Sequence, residues 1–361
     1  MAVTERIERL KKLSNAHGVS GFEVDIQKEV AAQLPSNVVI QYDSIGNLIA
    51  HCKGKSSFPN VLIEAHADEI GFLTTYITED GFIKFRAIGG WPSNELLGQR
   101  VVIRSDEKSI TGIIGTVPPH VSHIAAEQKD SIAGMFIDVG AKNKKKVYEM
   151  GIRPGLPIVP YANFEIMCDE QRVIGKAFDD RAGLGAIVEA LIDVAKDCNH
   201  PNTITLASTV QEEVGNRGAR VLQNNDTVKP DVAIVLEGIL TTDTPALKNN
   251  IVSESNLGGG PNVVVHDNSM IPNPKLLNWI IGLAKEEEIH IQLTAAFGGN
   301  NAGPIHLFGK GIPTVVIGVP CRYIHAFHGV MDLFDYEETI KLLIKILQRL
   351  DREVINKIIQ K

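Results

Sequence analysis

The sequence predicts an α/β protein: a mainly parallel sheet flanked by helices, interrupted by a small inserted β-rich domain. Two observations carry that prediction. Toward both ends of the chain, short apolar runs alternate with helical ones, the pattern of a parallel sheet buried on both faces. From about Glu69 to Ile166 the pattern changes to many short strand-like pieces bounded by Gly, Pro and Asp-Gly signals. The 361 residues, 44% hydrophobic and 22% charged, suffice for one large core or two domains.

In chain order, the first segment places Ile7, Leu10 and Leu13 at helical spacing. Val61–Ala65 is an apolar run that stops at His66. The middle offers strands at Phe72–Thr78, Phe82–Arg86, Arg100–Arg104 and Ser109–Val117, a turn at Asp80-Gly81, and one helix near Asn143–Met150. Arg181–Val194 is helical, with Leu184, Ile187, Val188 and Leu191 on one face. Three β-rich runs follow: Thr203–Val210 leading to Gln211, Asp231–Leu236 ending at Glu237, and Pro313–Val319. A final helix is expected from about Tyr336 to Ile355. Residues 1–68 and 167–361 would form a discontinuous α/β domain, with 69–166 inserted at a surface loop where an insertion is tolerated.

Composition excludes several functions. A net charge of −7 and 6% aromatic residues leave no footprint for nucleic acid or an anionic membrane. The run Lys142, Lys144, Lys145, Lys146 stands alone and is read as a solvated helix start. No stretch forms a signal-peptide h-region or the roughly 20 apolar residues of a membrane span. The four cysteines (Cys52, Cys168, Cys198, Cys321) are far apart, which argues against a disulfide framework or a cysteine zinc site. The expected location is the reducing cytoplasm.

The acidic and histidine residues fall where strands of the sheet would end, the edge at which open α/β sheets bind ligands. His66-Ala67-Asp68 follows VLIEA, and alternation puts both polar side chains on one side. Asp179-Asp180 opens a helix, Glu212-Glu213 follows TITLASTVQ, Glu237 follows DVAIVL, and His325 follows PTVVIGV. His328 is also available, but His325 is nearer the strand end. Each alone has an ordinary explanation as a strand-end hydrogen bond, a helix cap or a solvated acidic turn. Together they make an oxygen- and nitrogen-type ligand set without thiolates, suited to zinc, manganese or cobalt. Five ligating residues are too many for one tetrahedral zinc and about right for two bridged ions. Adjacent Glu212 and Glu213 suit a division between general base and ligand. No GxSxG elbow, P-loop or HExxH helix is present.

The segments EAHADEIGF (Glu64–Phe72), GKAFDDRAG (Gly175–Gly183), QEEVGNRGA (Gln211–Ala219) and RYIHA (Arg322–Ala326) resemble the tetrahedral, or TET-type, metallo-aminopeptidases. That family includes glutamyl and deblocking aminopeptidases, some under the older label endoglucanase M. The resemblance spans essentially the whole chain. It implies a zinc-peptidase catalytic domain and an inserted domain through which members assemble, often as dodecamers. It implies two divalent ions, zinc with cobalt or manganese as alternatives, held by His66, Asp179 as bridge, Glu213, Glu237 and His325. Glu212 would be the general base on metal-bound water, and Asp68 would orient His66. The expected substrates are short peptides, cut at their N-terminus.

Two departures stand out. The family usually has Asp where this chain has Glu237, and in related co-catalytic peptidases Glu there accompanies carboxypeptidase or deacylase chemistry. After His325 come Ala326, Phe327 and His328, where the family commonly has Ser or Thr and then Pro. The competing readings are accordingly a metal-dependent deacylase or carboxypeptidase on the same site, a glycosidase, which paired carboxylates alone would allow, and a non-enzymatic assembly protein.

Overall fold

The computed structural model describes residues 2–105, 108–115, 120, 132–248 and 253–360. In chain order the strands are β1 (Val39–Tyr42), β2 (Leu48–Lys53) and β3 (Asn60–His66), then β4 (Gly71–Ile77), β5 (Ile83–Ile88), β6 (Arg100–Arg104), β7 (Ser109–Gly115), β8 (Phe136–Asp138) and β9 (Pro157–Pro160). They continue with β10 (Glu165–Ile166), β11 (Arg172–Gly175), β12 (Thr203–Thr209), β13 (Val232–Leu240), β14 (Asn262–His266), β15 (Gln292–Ala295), β16 (Thr314–Arg322) and β17 (Gly329–Asp332).

Eleven strands build one large sheet in the order β1-β2-β12-β3-β13-β16-β17-β11-β10, with β14 branching from β16 and β15 paired to β14. Its centre, β12-β3-β13-β16, is parallel, and its flanks are antiparallel. The central strands are buried on both faces, so they read as unbroken apolar runs. Alternation sends their side chains into two cores. Val61, Ile63 and Ile234 pack with Leu184, Ile187 and Leu191 of the helix Phe178–Val194 and with Leu343 and Ile346 of Leu333–Arg349. Leu62, Ala233 and Val235 pack on the other side with Ala219, Leu222 and Ile305. Helices on both faces thus bury the sheet.

The other strands close a six-stranded barrel, β4-β5-β8-β7-β6-β9, around Phe72, Ile83, Phe85, Val101, Ile103, Ile137 and Ile158. Closure leaves no unpaired edge. Gly81 forms the expected turn at φ +87°, where a Cβ would sit 2.7 Å from the Ala141 carbonyl oxygen. The helix expected near Asn143–Met150 is Lys144–Glu149, capped by the Asn143 side chain, which accepts from Lys146 N at 3.0 Å.

Several elements differ from the sequence reading. The barrel strands end at Pro160, and Glu165–Ile166, read as the end of the insert, pair with β11 in the large sheet. The run Ser109–Val117 is a strand to Gly115, and Val117 lies outside the described residues. The helix expected from Tyr336 to Ile355 is two, Leu333–Arg349 and Arg352–Ile359. Leu350 leaves helical geometry (ψ 82°), and Asp351 caps the second helix by accepting from Val354 N at 2.9 Å. Finally, β13 and β16 extend past their expected ends because they pair with each other out to Leu240 and Cys321. Glu237 therefore lies inside a strand.

Candidate active site at the carboxyl edge of the sheet

β3 and β12 end together, with His66 opposite Thr209, and β13 pairs Val235 with Glu64 two residues earlier. That register brings Glu237 level with His66, and Glu237 Oε1 lies 3.5 Å from His66 Nε2. The loop after β12 carries Glu212 and Glu213, and the loop after β16 carries His325. The helix Phe178–Val194 begins with Asp179 and Asp180 in non-helical conformations.

These residues meet at Asp179. Its Oδ1 lies 3.1 Å from His66 Nε2, and its Oδ2 lies 3.4 Å from His325 Nε2. Glu213 Oε2 is 3.4 Å from His325 Nε2, and Glu212 Oε2 is 4.0 Å from His66 Nε2. Three groups have donor atoms mutually within 4.8 Å: His66–Asp179–Glu237, His66–Glu212–Glu213 and Asp179–Glu213–His325. Every residue singled out in the sequence for ligation therefore joins the cluster. His328 appears in none of the three groups, and its pKa is lowered by burial.

Asp68 underlies the arrangement. It is fully buried, and its carboxylate accepts from Glu212 N at 2.9 Å, Glu213 N at 3.1 Å and Ser20 Oγ at 2.6 Å. His66 Nδ1 faces the Asp68 carbonyl at 3.1 Å and its carboxylate at 3.5 Å. Asp180 accepts from His66 N at 3.3 Å and Gly183 N at 3.0 Å, fixing the strand end against the helix start. His325 holds a left-handed conformation at φ 61° and Tyr323 at φ 60°, at a cost of about 1–2 kcal/mol per residue. Such strain persists where the surroundings over-determine the backbone.

Charge is lopsided here. Burial pushes the Glu213 and Glu237 carboxyls well above the usual range, and nearby Asp179 adds to the shift. Burial also raises Glu212 to about 7. His325 is raised to about 9 by its bond to Asp179. Burial pulls His66 down, but its bonds to Asp179, Asp68 and Glu237 outweigh that and raise it well above the ordinary value. The nearby buried cations, Lys176 and Arg181, are spent on Glu69: Lys176 Nζ lies 2.7 Å from both oxygens and Arg181 3.5 Å from one. A crowd of carboxylates and imidazoles without a free lysine or arginine among the described residues fits divalent metal, which reverses these shifts by favouring the charged carboxylates and neutral imidazoles.

Three polar residues escaped the sequence reading. Asn216 Nδ2 donates to Glu212 Oε1 at 2.7 Å and to Asn301 Oδ1 at 3.1 Å. Asn301 Nδ2 donates to Glu64 Oε1 at 2.8 Å. Glu64 is fully buried, accepts from Thr209 Oγ1 at 2.5 Å, and burial pushes its carboxyl up to about 7. A carboxylate inside the apolar run VLIEA was the available signal for Glu64. Nothing local marked the two asparagines.

Comparison with known proteins identifies the family of the chain. The model of the M42 glutamyl aminopeptidase family matches residues 46–342. The structure of a TET aminopeptidase from Thaumarchaeota archaeon SCGC AB-539-E09 is 37% identical, covers 99% of this chain and 100% of its own, and superposes with a TM-score of 0.94. The lysyl aminopeptidase of Pyrococcus furiosus is 33% identical across 95% of this chain and 97% of its own. The TET1 peptidase of Pyrococcus horikoshii, described as assembling into a tetrahedron or a large octahedral shell, is 30% identical, covers 95% of this chain and 99% of its own, and has a TM-score of 0.85. The chain belongs to the M42 glutamyl aminopeptidase family and is a peptide-bond hydrolase.

Proposed function

We propose that the protein removes N-terminal residues from short peptides with two divalent ions, zinc foremost and cobalt or manganese as alternatives. The observation that carries this reading is the Asp179 carboxylate, whose two oxygens face two different histidines. His66 with Glu237 would hold one ion and His325 with Glu213 the other, with Asp179 shared between them. Divalent ions held there supply Lewis acidity toward the scissile carbonyl and lower the pKa of water.

The chain's own residues do the rest. Glu212, whose Oε2 lies 4.0 Å from His66 Nε2, takes the proton of the attacking water and returns it to the leaving amine. Asn216 holds one Glu212 oxygen and leaves the other turned toward His66. Asp68 fixes the backbone of both glutamates and faces His66 Nδ1. Glu237, one methylene longer than the family's usual Asp, reaches to 3.5 Å from His66, which supports the same ligand role.

The division into a catalytic domain of residues 1–68 and 167–361 and an insert of 69–166, whose closing strand Glu165–Ile166 pairs back into the large sheet, is part of this proposal, as is homo-oligomerisation through the insert, with a dodecamer as the expected form. Similarity to the TET1 peptidase supports the assembly. Four free cysteines support a cytoplasmic location. The test is Glu212→Gln. It should lower kcat by roughly 100-fold or more while keeping the bound metal of the wild type. Wild-type turnover in that variant would remove Glu212 from the mechanism.

A further inference from the structure

The carboxylate cluster opens into a cavity of about 530 Å³, within the roughly 300–1,000 Å³ typical of ligand clefts. Its wall includes Ile239 and Leu240 at the end of β13, then Thr242, Ser253, Thr294 and the 60% exposed Phe297. Apart from the cluster's own carboxylates and His325, no charged side chain among the described residues lines it.

The wall's hydroxyls all make hydrogen bonds within the protein. Thr242 Oγ1 accepts from Ser255 N and donates to the Ser253 carbonyl, both at 3.1 Å. Thr294 Oγ1 donates to Asn262 Oδ1 at 2.6 Å, and Ser253 Oγ accepts from Ala295 N at 2.7 Å. Besides Arg181, held on Glu69, two other arginines near the site in sequence face elsewhere. Arg322 forks onto Asp243 at 2.9 and 2.5 Å, and exposed Arg217 donates to Gln211 at 3.2 Å.

A charged side chain entering this cavity gives up water and meets no charged group except the cluster's own residues, whose carboxylates the bound ions would occupy, whereas an apolar one only gains by leaving water. We infer that the cavity receives the side chain of the residue being released and selects uncharged, largely apolar residues such as leucine and methionine over glutamate and lysine. The inference rests on the aminopeptidase reading.

The test uses the metal-loaded full-length protein with Leu-, Met-, Glu- and Lys-4-nitroanilides. For Leu and Met, kcat/KM should exceed that for Glu and Lys by roughly tenfold or more. Leu240→Arg and Phe297→Arg should each raise the Glu-to-Leu ratio by about tenfold. The ratio is read within one preparation, so partial misfolding cannot move it, and Phe297 is exposed enough to accept the change. Equal wild-type rates on Leu and Glu or Lys, or ratios unmoved in both variants, would overturn the inference and leave the aminopeptidase reading standing. Release from no substrate with any metal would remove that reading, and the inference with it.

Discussion

Glu212 is gripped at one oxygen. Asn216 Nδ2 donates to Oε1 at 2.7 Å and is itself tied through Asn301 to buried Glu64. Asn216 sits at φ 54°, a left-handed conformation that asparagine tolerates better than most residues. Asn216→Ala should therefore lower kcat roughly tenfold with KM little changed, since it removes one hydrogen bond to a carboxylate. Asn216→Asp should do worse by placing a like charge beside the base. An unchanged kcat in both would detach this chain of side chains from the chemistry. The metal-type residues were legible in the sequence because each ends an apolar run or opens a helix. The asparagines were not, because a loop amide carries no periodicity and its partner, Asn301, lies 85 residues away.

At the scale of elements, legibility followed burial. β3, β12, β13 and β16 are almost wholly buried and were found within a few residues of their ends. The peripheral strands β1, β14 and β15 were missed: they are four or five residues long and partly exposed, so their side chains carry little pattern. The break at Leu350 was also missed, because the apolar positions continue in helical step while Asp351 restarts the hydrogen bonding. Asp351→Ala should cost about 1 kcal/mol, read by urea denaturation. No loss would mean the second helix does not depend on its cap.

Asp335, on the first turn of Leu333–Arg349, makes a pH-dependent link to the Gly258–Gly260 loop. It accepts from Gly258 N at 2.8 Å and Gly260 N at 2.7 Å, yet burial outweighs these bonds and pushes its carboxyl up to about 7. In the unfolded chain it titrates near ~3.9. Between these values the folded state binds more protons than the unfolded one. Its contribution to stability is therefore fully present below about pH 4, falls as pH rises to about 7, and is flat above. Asp335→Asn lacks that slope, so its Tm should gain on the wild type from pH 5 to pH 7. A constant Tm difference across that range would contradict the assignment.

For the whole molecule, the barrel and the sheet meet beside the site. Phe327, two residues past His325, belongs to the barrel's apolar core, and its ring lies 5.2 Å from that of Trp91. Gly90 lies close enough to His325 that a Cβ there would come within 3.1 Å of Nδ1. The barrel is thus packed against the loop that carries His325, and the proposed assembly through it would bear on catalysis. Because the cluster concentrates buried carboxylates, metal should stabilise the whole fold by binding only the native state. A chelator should lower Tm, and zinc, cobalt or manganese should restore it. The most direct test of the central claim is an assay of purified protein on matched free and N-acetylated short peptides, with each metal and with chelator. The account predicts stepwise loss of N-terminal residues from the free peptides alone, abolished by the chelator. Cleavage confined to blocked peptides, or proceeding from the C-terminus, would contradict it and make Glu237 the mark of a different chemistry.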